Sequence, residues 1–266
     1  MPKPDSAKPD ATRVFRLDGH HAVITGGGSG LGLAIAECFV ASGARVTIVG
    51  TNADKLKDAA AALGGDTRWA TFDVGESLAA EGFAADCEKR FGPASILVNN
   101  AGSTVKKPIP EMTPEDFDRV MRVHVHGSFA LSRAFLPQLE ASAAALGDAS
   151  ILFTASMSSF LGIPNVIGYA AAKSAHVGMV RSMATELAPK GVRANAVAPG
   201  WIDTALFRLA TSTDPARKAK IAARIPMNRF GDPHDVGWAM TYLASPAARY
   251  VSGHVLVVDG GALHGF

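Results

Sequence analysis

Cysteine is scarce in this chain, with two among 266 residues. Cys38 and Cys87 lie far apart without Cys-x-x-Cys spacing, which excludes a disulfide framework; both read as small apolar residues inside helices, as expected in a reducing, cytoplasmic compartment. Charge of one sign is also missing. Lys and Arg number 26 against 24 Asp and Glu, a net of +2, with no basic stripe or acidic run, so neither nucleic acid nor an anionic membrane is suggested as a partner. No apolar stretch is long enough to span a bilayer. The polar, proline-rich opening Met1–Asp10 has no apolar run, so it is not a secretory signal, and residues 1–14 are expected to form a disordered tail. His124 and His126 stand at i and i+2 and face apart on a helix, and the other histidines are scattered, so no metal site is expected. What remains is a soluble protein with a small-molecule ligand.

The chain is organised around Thr25-Gly26-Gly27-Gly28-Ser29-Gly30-Leu31-Gly32. Upstream, Ala22-Val23-Ile24 is strand-like; downstream, Leu31, Ala34, Ile35, Cys38 and Phe39 recur on one helix face. Glycine permits positive φ and close backbone approach, and the helix starting at Ser29 aims its positive dipole end at the turn. A pyrophosphate is the anion that fits. The glycine spacing is wider than G-x-G-x-x-G, and no P-loop Lys-Ser/Thr follows.

Strands are expected at 45–49, 68–72, 96–98, 151–154, 193–198 and 254–258, and helices at 54–63, 78–91, 166–187 and 232–244. Another helix starts at Thr113-Pro114 and is expected to end near Pro137. Each strand is a short apolar run, as for parallel strands buried on both faces. With no repeat and no linker, 15–266 reads as one α/β domain with a doubly wound parallel sheet of seven strands, helices on both faces and the ligand crevice beyond the strands' carboxyl ends. The segment 201–230 has no strand pattern and reads as a substrate lid.

Polar residues gather at those carboxyl ends. Ser156 follows the fifth strand, and Tyr169 and Lys173, at i and i+4, share a helix face. A phenol beside an ammonium has a lowered pKa and can exchange a proton with an alcohol oxygen that Ser156 also hydrogen-bonds.

From Leu17 to Gly261 the sequence resembles the short-chain dehydrogenase/reductase superfamily. Thr25–Gly32 fits its Thr-Gly-x-x-x-Gly-x-Gly turn, Asn99-Asn100-Ala101-Gly102 its Asn-Asn-Ala-Gly stretch, and Ser156, Tyr169 and Lys173 its catalytic serine and Tyr-x-x-x-Lys. The resemblance implies a Rossmann-type fold. It implies Tyr169 as general acid/base, Ser156 on the substrate oxygen, and Lys173 lowering the tyrosine pKa while binding the nicotinamide ribose. It also implies cofactor contacts from Gly26, Ser29, Gly30, Leu31, Gly32, Thr51, Asn52, Asp73, Val74, Asn100, Ala101, Gly102, Tyr169, Lys173, Pro199, Gly200, Ile202 and Thr204. One position departs: His124 stands where the family has the asparagine that helps hold a relay water, so a neutral imidazole is asked to do this, and a loss of activity on the acid side of neutrality would follow its protonation.

The expected activity is NAD(P)(H)-dependent interconversion of a secondary alcohol, sugars and polyols among the candidates, and a ketone. The alternative is a catalytically weak dinucleotide-binding scaffold or redox sensor. Val49-Gly50-Thr51-Asn52 carries neither the acid expected for NAD(H) nor an arginine; Thr51, Asn52 and Lys55 can donate to a 2′-phosphate, which tips the expectation toward NADP(H). The substrate wall is expected from Ser156, Met157, Ser158, Asn165, Val166, Trp201, Leu206 and Phe207. The resemblance also implies a homotetramer or dimer, joined through the helices around 115–139 and 166–187.

Overall fold

A computed structural model describes residues 10–212 and 214–265; positions 1–9 of the expected tail lie outside them. From Asp10 the chain makes a turn, and the Val14 carbonyl accepts the Ala247 N–H. Strands β1 (His21–Thr25), β2 (Arg45–Gly50), β3 (Thr67–Thr71), β4 (Ile96–Asn99), β5 (Ala149–Thr154), β6 (Val192–Pro199) and β7 (Val255–Val258) form one parallel sheet in the order β3-β2-β1-β4-β5-β6-β7. The order reverses between β1 and β4, and a doubly wound sheet takes its ligand at that point.

Side chains alternate across each strand. Val23, Leu97, Ile151, Phe153 and Ala196 face α3 (Ala80–Phe91), α5 (Ser128–Leu146) and α6 (Ile167–Leu187), which bury Cys87, Phe135 and Val180 there. Ile24, Ile48, Val98, Leu152 and Val197 face α1 (Gly30–Ala41), α2 (Ala53–Leu63) and α9 (Pro233–Ala244), with Phe39, Leu56 and Met240. Truncating Phe39 or Phe135 to Ala would cost about 3–5 kcal/mol. The edge strands β3 and β7 are only partly buried, unlike the central five, because one flank of each has no neighbouring strand. Helices α4 (Pro114–Met121), α7 (Ala205–Thr211) and α8 (Pro215–Ala222) complete the set, the last two within 201–230. Among the described residues no helix is long and apolar enough to cross a membrane.

The helix begun at Pro114 does not end near Pro137. It passes through a π-turn at Arg122–Gly127 and continues as α5 to Leu146, with Pro137 inside it. Proline costs one helical bond, but the next turns are anchored to α3 and to the segment that leads into β4. Gln138 accepts the Ala94 N–H and donates to the Ala84 carbonyl, while Ser142 donates to the Ala94 carbonyl.

Candidate active site

The glycine turn joins β1 to α1 at the switch point. Gly26 and Gly30 have φ of +67° and +56°, a region open to glycine at little cost. Gly32 presses on the strand end: a Cβ there would stand 2.2 Å from the Gly26 carbonyl oxygen. Ser29 makes no side-chain cap hydrogen bond, so its hydroxyl leaves the first N–H groups of α1 to another acceptor. Asn100 pins the turn, donating Nδ2–H to the Thr25 carbonyl and accepting from Thr154 Oγ1. Thr25 Oγ1 in turn accepts the Asn100 and Ala101 N–H groups. The cradle fits a pyrophosphate: glycines where a Cβ would intrude, and a helix N-terminus aimed at the gap.

Around this cradle, Asn52 caps α2 by accepting the Lys55 N–H, leaving its amide N–H₂ to donate beside Thr51. Asp73 accepts the Gly75 N–H, and Val74 is buried against Gly127. Pro199 ends β6, Gly200 donates to the Val258 carbonyl, Ile202 is bridged to Gly231, and Thr204 caps α7. All of these sit at the carboxyl edge of the sheet.

Ser156 caps a short turn after β5 by accepting the Ser158 N–H, and it hydrogen-bonds Tyr169. Lys173 Nζ lies 5.5 Å from the Tyr169 ring centroid and donates to the Thr154 carbonyl. Burial pushes the Lys173 ammonium down to about 7. The Tyr169 phenol is raised by burial, against which the Ser156 hydrogen bond acts. Desolvation therefore outweighs the Ser156 hydrogen bond, and burial also weakens the Lys173 ammonium from which a lowering was expected.

His124 is buried in the π-turn with its ring edge-on to Tyr169, centroids 5.5 Å apart at 84°. Its Nε2 lies 2.8 Å from the Ser103 carbonyl and 3.1 Å from the Ser103 N–H, so this nitrogen is tied to the β4 loop and not offered to a relay water. Nδ1 is buried without a partner. Burial, with Lys173 second, pushes His124 down to about 3. It stays neutral as expected, but its protonation falls far below the acid side of neutrality, and no activity loss there follows from it. His126 is exposed on the other side, and among the described residues no cluster could hold a metal.

Of the expected substrate wall, Met157 and Trp201 meet in one small cluster with Ile225 and Phe230, and Phe207 joins it through Phe230 at 4.9 Å. Ser158 is buried with an unpartnered hydroxyl, and Val166 precedes α6. Asn165 is exposed at φ +66° on the rim, its carbonyl accepting the Lys107 N–H. The Leu206 side chain lies outside the described ones. Two residues escaped the sequence reading, Thr154 and His176. His176 is buried and donates Nε2–H to the His124 carbonyl at 2.7 Å. Its i+3 spacing from Lys173 and i+7 from Tyr169 put it on their helix face.

Residues 26–263 match a family model described as enoyl-(acyl carrier protein) reductase. The chain is 39% identical to a galactitol 2-dehydrogenase (L-tagatose-forming) of Cereibacter sphaeroides, over 95% of this chain and 98% of that one. It is 35% identical to an NADP-dependent (R)-specific alcohol dehydrogenase of Lentilactobacillus kefiri, over 92% and 97%. Its fold is similar to a crystal structure of a gluconate 5-dehydrogenase from Burkholderia cenocepacia in complex with NADP and tartrate. The TM-score is 0.90 at 33% identity, covering 97% of this chain and 100% of that one.

Proposed function

The chain belongs to the short-chain dehydrogenase/reductase superfamily, and from that premise we propose that it interconverts a sugar- or polyol-type secondary alcohol and its ketone, with Tyr169 as general acid/base. It is an NAD(P)(H)-dependent oxidoreductase acting on CH–OH groups, with NADP(H) favoured. The observation that carries the acid/base reading is the convergence of Ser156, Tyr169 and Lys173 beside the glycine cradle.

The bound nicotinamide supplies the hydride acceptor in oxidation and the donor in reduction. In oxidation Tyr169 takes the hydroxyl proton as the carbinol C–H pair leaves as hydride, and in reduction it returns that proton to the forming alkoxide. Ser156 hydrogen-bonds the same oxygen and Tyr169. Lys173 would bind the nicotinamide ribose and, when protonated, place positive charge near the phenol. The turn from Gly26 to Gly32 would hold the pyrophosphate, Asp73 and Val74 would border the adenine, and Thr51 and Asn52 would receive the 2′-phosphate. Residues 201–230 close over the substrate against Met157, with Trp201 and Phe207 as the apolar wall and Ser158 and Asn165 as polar contacts.

The same reading takes the protein to be a cytoplasmic homo-oligomer, a tetramer or dimer. Phe129 on α5 and Ile167 on α6 are exposed apolar residues on the two helices expected to meet, and the buried thiols Cys38 and Cys87 suit a reducing compartment. Light scattering at micromolar concentration is expected to give a multiple of the chain mass; a monomer alone would sink the assembly. For the chemistry, a panel of polyols, sugar acids and ketones is run with both nicotinamide cofactors on wild type and Tyr169→Phe. The variant is expected to bind cofactor normally and lose at least ~10²-fold in kcat, the scale of acid/base catalysis. Near wild-type turnover would remove Tyr169 from the mechanism.

A further inference from the structure

A carbonyl oxygen has two lone pairs, and at His124 both are taken. Ser128 Oγ donates at 2.5 Å from the next turn of its own helix, and His176 Nε2 donates at 2.7 Å from α6. Ser128 is held from behind: its carbonyl accepts Ser132 Oγ–H, and Ser132 accepts from Asn99 at the end of β4. Donors on two elements thus draw one carbonyl out of the α-helical ladder, the local geometry of a π-turn. The backbone held this way sets the His124 ring, which lies edge-on to Tyr169 and so close to Gly102 that a Cβ there would stand 2.2 Å from Cε1.

We propose that His176 is a positioning residue for alcohol oxidation and ketone reduction: its Nε2–H locks the π-turn that carries His124 to α6, the helix that carries Tyr169 and Lys173. The proposal rests on the reading of Tyr169 and Lys173 as the proton-handling pair. His176 can serve as a fixed donor because burial and Lys173 push it down to about 3, so it stays neutral. The His124 carbonyl can only accept, so the ring proton is on Nε2, and the Thr154 carbonyl is a further backbone partner of the His176 ring. Among the described residues the titratable groups facing His176 are Lys173 on its own helix and His124 on the π-turn, with Tyr169 beyond the His124 ring. A donor lost at position 176 leaves a buried acceptor in the field of Lys173, which favours the charged lysine and, through it, the phenolate.

The test is the pH profile of alcohol oxidation at saturating cofactor for wild type, His176→Phe, His176→Gln and Tyr169→Phe. In His176→Phe, kcat is expected to fall ~10-fold from misplacement of the pair, with KM within about twofold and the limb that reports Tyr169 moved to lower pH. Glutamine carries an N–H at the reach of Nε2 and is expected to restore both. A His176→Phe enzyme with lowered thermal stability but a superimposable profile would overturn the proposal, leaving His176 as packing only. If Tyr169→Phe is active the acid/base reading fails; if it is dead while His176→Phe is unchanged, the positioning role alone fails. Should His176→Phe not fold, ¹⁵N NMR of wild type decides: a neutral Nε2–H tautomer throughout about pH 5 to 9 supports the role, and an Nδ1–H tautomer or a titration in that range refutes it.

Discussion

Replacing Gly32 and Gly30 separately tells the two tasks of the glycine turn apart. A Cβ at Gly32 would stand 2.2 Å from the Gly26 oxygen and 2.6 Å from Asn100 Nδ2. Neither neighbour yields cheaply: one is backbone, and the other is fixed to Thr25 and Thr154. α1 must move outward, although Ile35 and Phe39 on it are fully buried. Overpacking of this kind costs about 1–3 kcal/mol, and a loosened Asn100–Thr25 bond about 1 more. Alanine's better helix propensity returns about 1. Gly32→Ala is therefore expected to lose about 2 kcal/mol, roughly 4–8 °C in Tm for a chain of this size. At Gly30 a Cβ meets nothing within 4 Å, so only the positive φ is penalised, at about 1–2 kcal/mol. That methyl would, however, stand in front of the first turn of α1. Thermal unfolding with and without NADP(H) reads both effects, since ligand at 100 times Kd adds about 2.7 kcal/mol to the folded state. Gly30→Ala should keep most of the ligand-free Tm and lose the cofactor-induced rise. A Gly32→Ala protein as stable as wild type would refute the close approach, and a Gly30→Ala protein with the full rise would refute the anion cradle.

Alcohol oxidation needs Tyr169 as a base, and burial raises its pKa, so kcat for oxidation should climb with pH on the alkaline side of neutrality; a profile already flat at neutral pH would contradict this. His124 and His176 are pushed from 6.5 to about 3 in the folded chain. The unfolded state therefore binds more protons between those values, and stability is lost as pH falls below about 6.5, by up to ~1.4 kcal/mol per pH unit for each histidine. Urea unfolding at pH 7.5 and 5.5 checks this, and equal midpoints would speak against it. A Cβ at Gly50 would meet Leu56 in ordinary contact at 3.6 Å. Gly50→Asp should thus fold and, by repelling the 2′-phosphate, shift kcat/KM at least ~10-fold toward NAD(H); an unchanged ratio of activities would place the ribose elsewhere.

Much of the fold and of the expected site was legible because it is written in local patterns. The apolar runs from Val23 to Val258 alternate faces once they pair, and glycine in the β1–α1 turn is dictated by φ at Gly26 and Gly30. Tyr169 and Lys173 declare a shared face by spacing alone. The end of α5 was not legible, because proline at 137 reads locally as a stop while the bonds that override it reach residue 84 on α3 and residue 94 before β4, distant in the chain. The π-turn was hidden for the same reason. Its driving groups, Ser128, Ser132, Asn99 and His176, come from three elements, and each looks ordinary in its own segment.

His124 illustrates the boundary between the two kinds of information. Sequence alone identifies a histidine at an unusual place and assigns it the chemistry of its side chain, a titrating ring near neutrality. Folding redirects that ring to the Ser103 backbone and removes the titration by burial. What the position gives to the site is then its main-chain carbonyl, held by a second histidine on the helix face of Lys173 that the sequence reading passed over. His124→Asn, whose shorter amide gives up the tie to Ser103 but removes no group that titrates near neutrality, should accordingly leave the pH profile nearly as it is. His176→Phe, which touches neither Tyr169 nor the substrate wall, should move it. A larger shift from His124→Asn than from His176→Phe would reverse that ordering and return the proton chemistry to the His124 side chain.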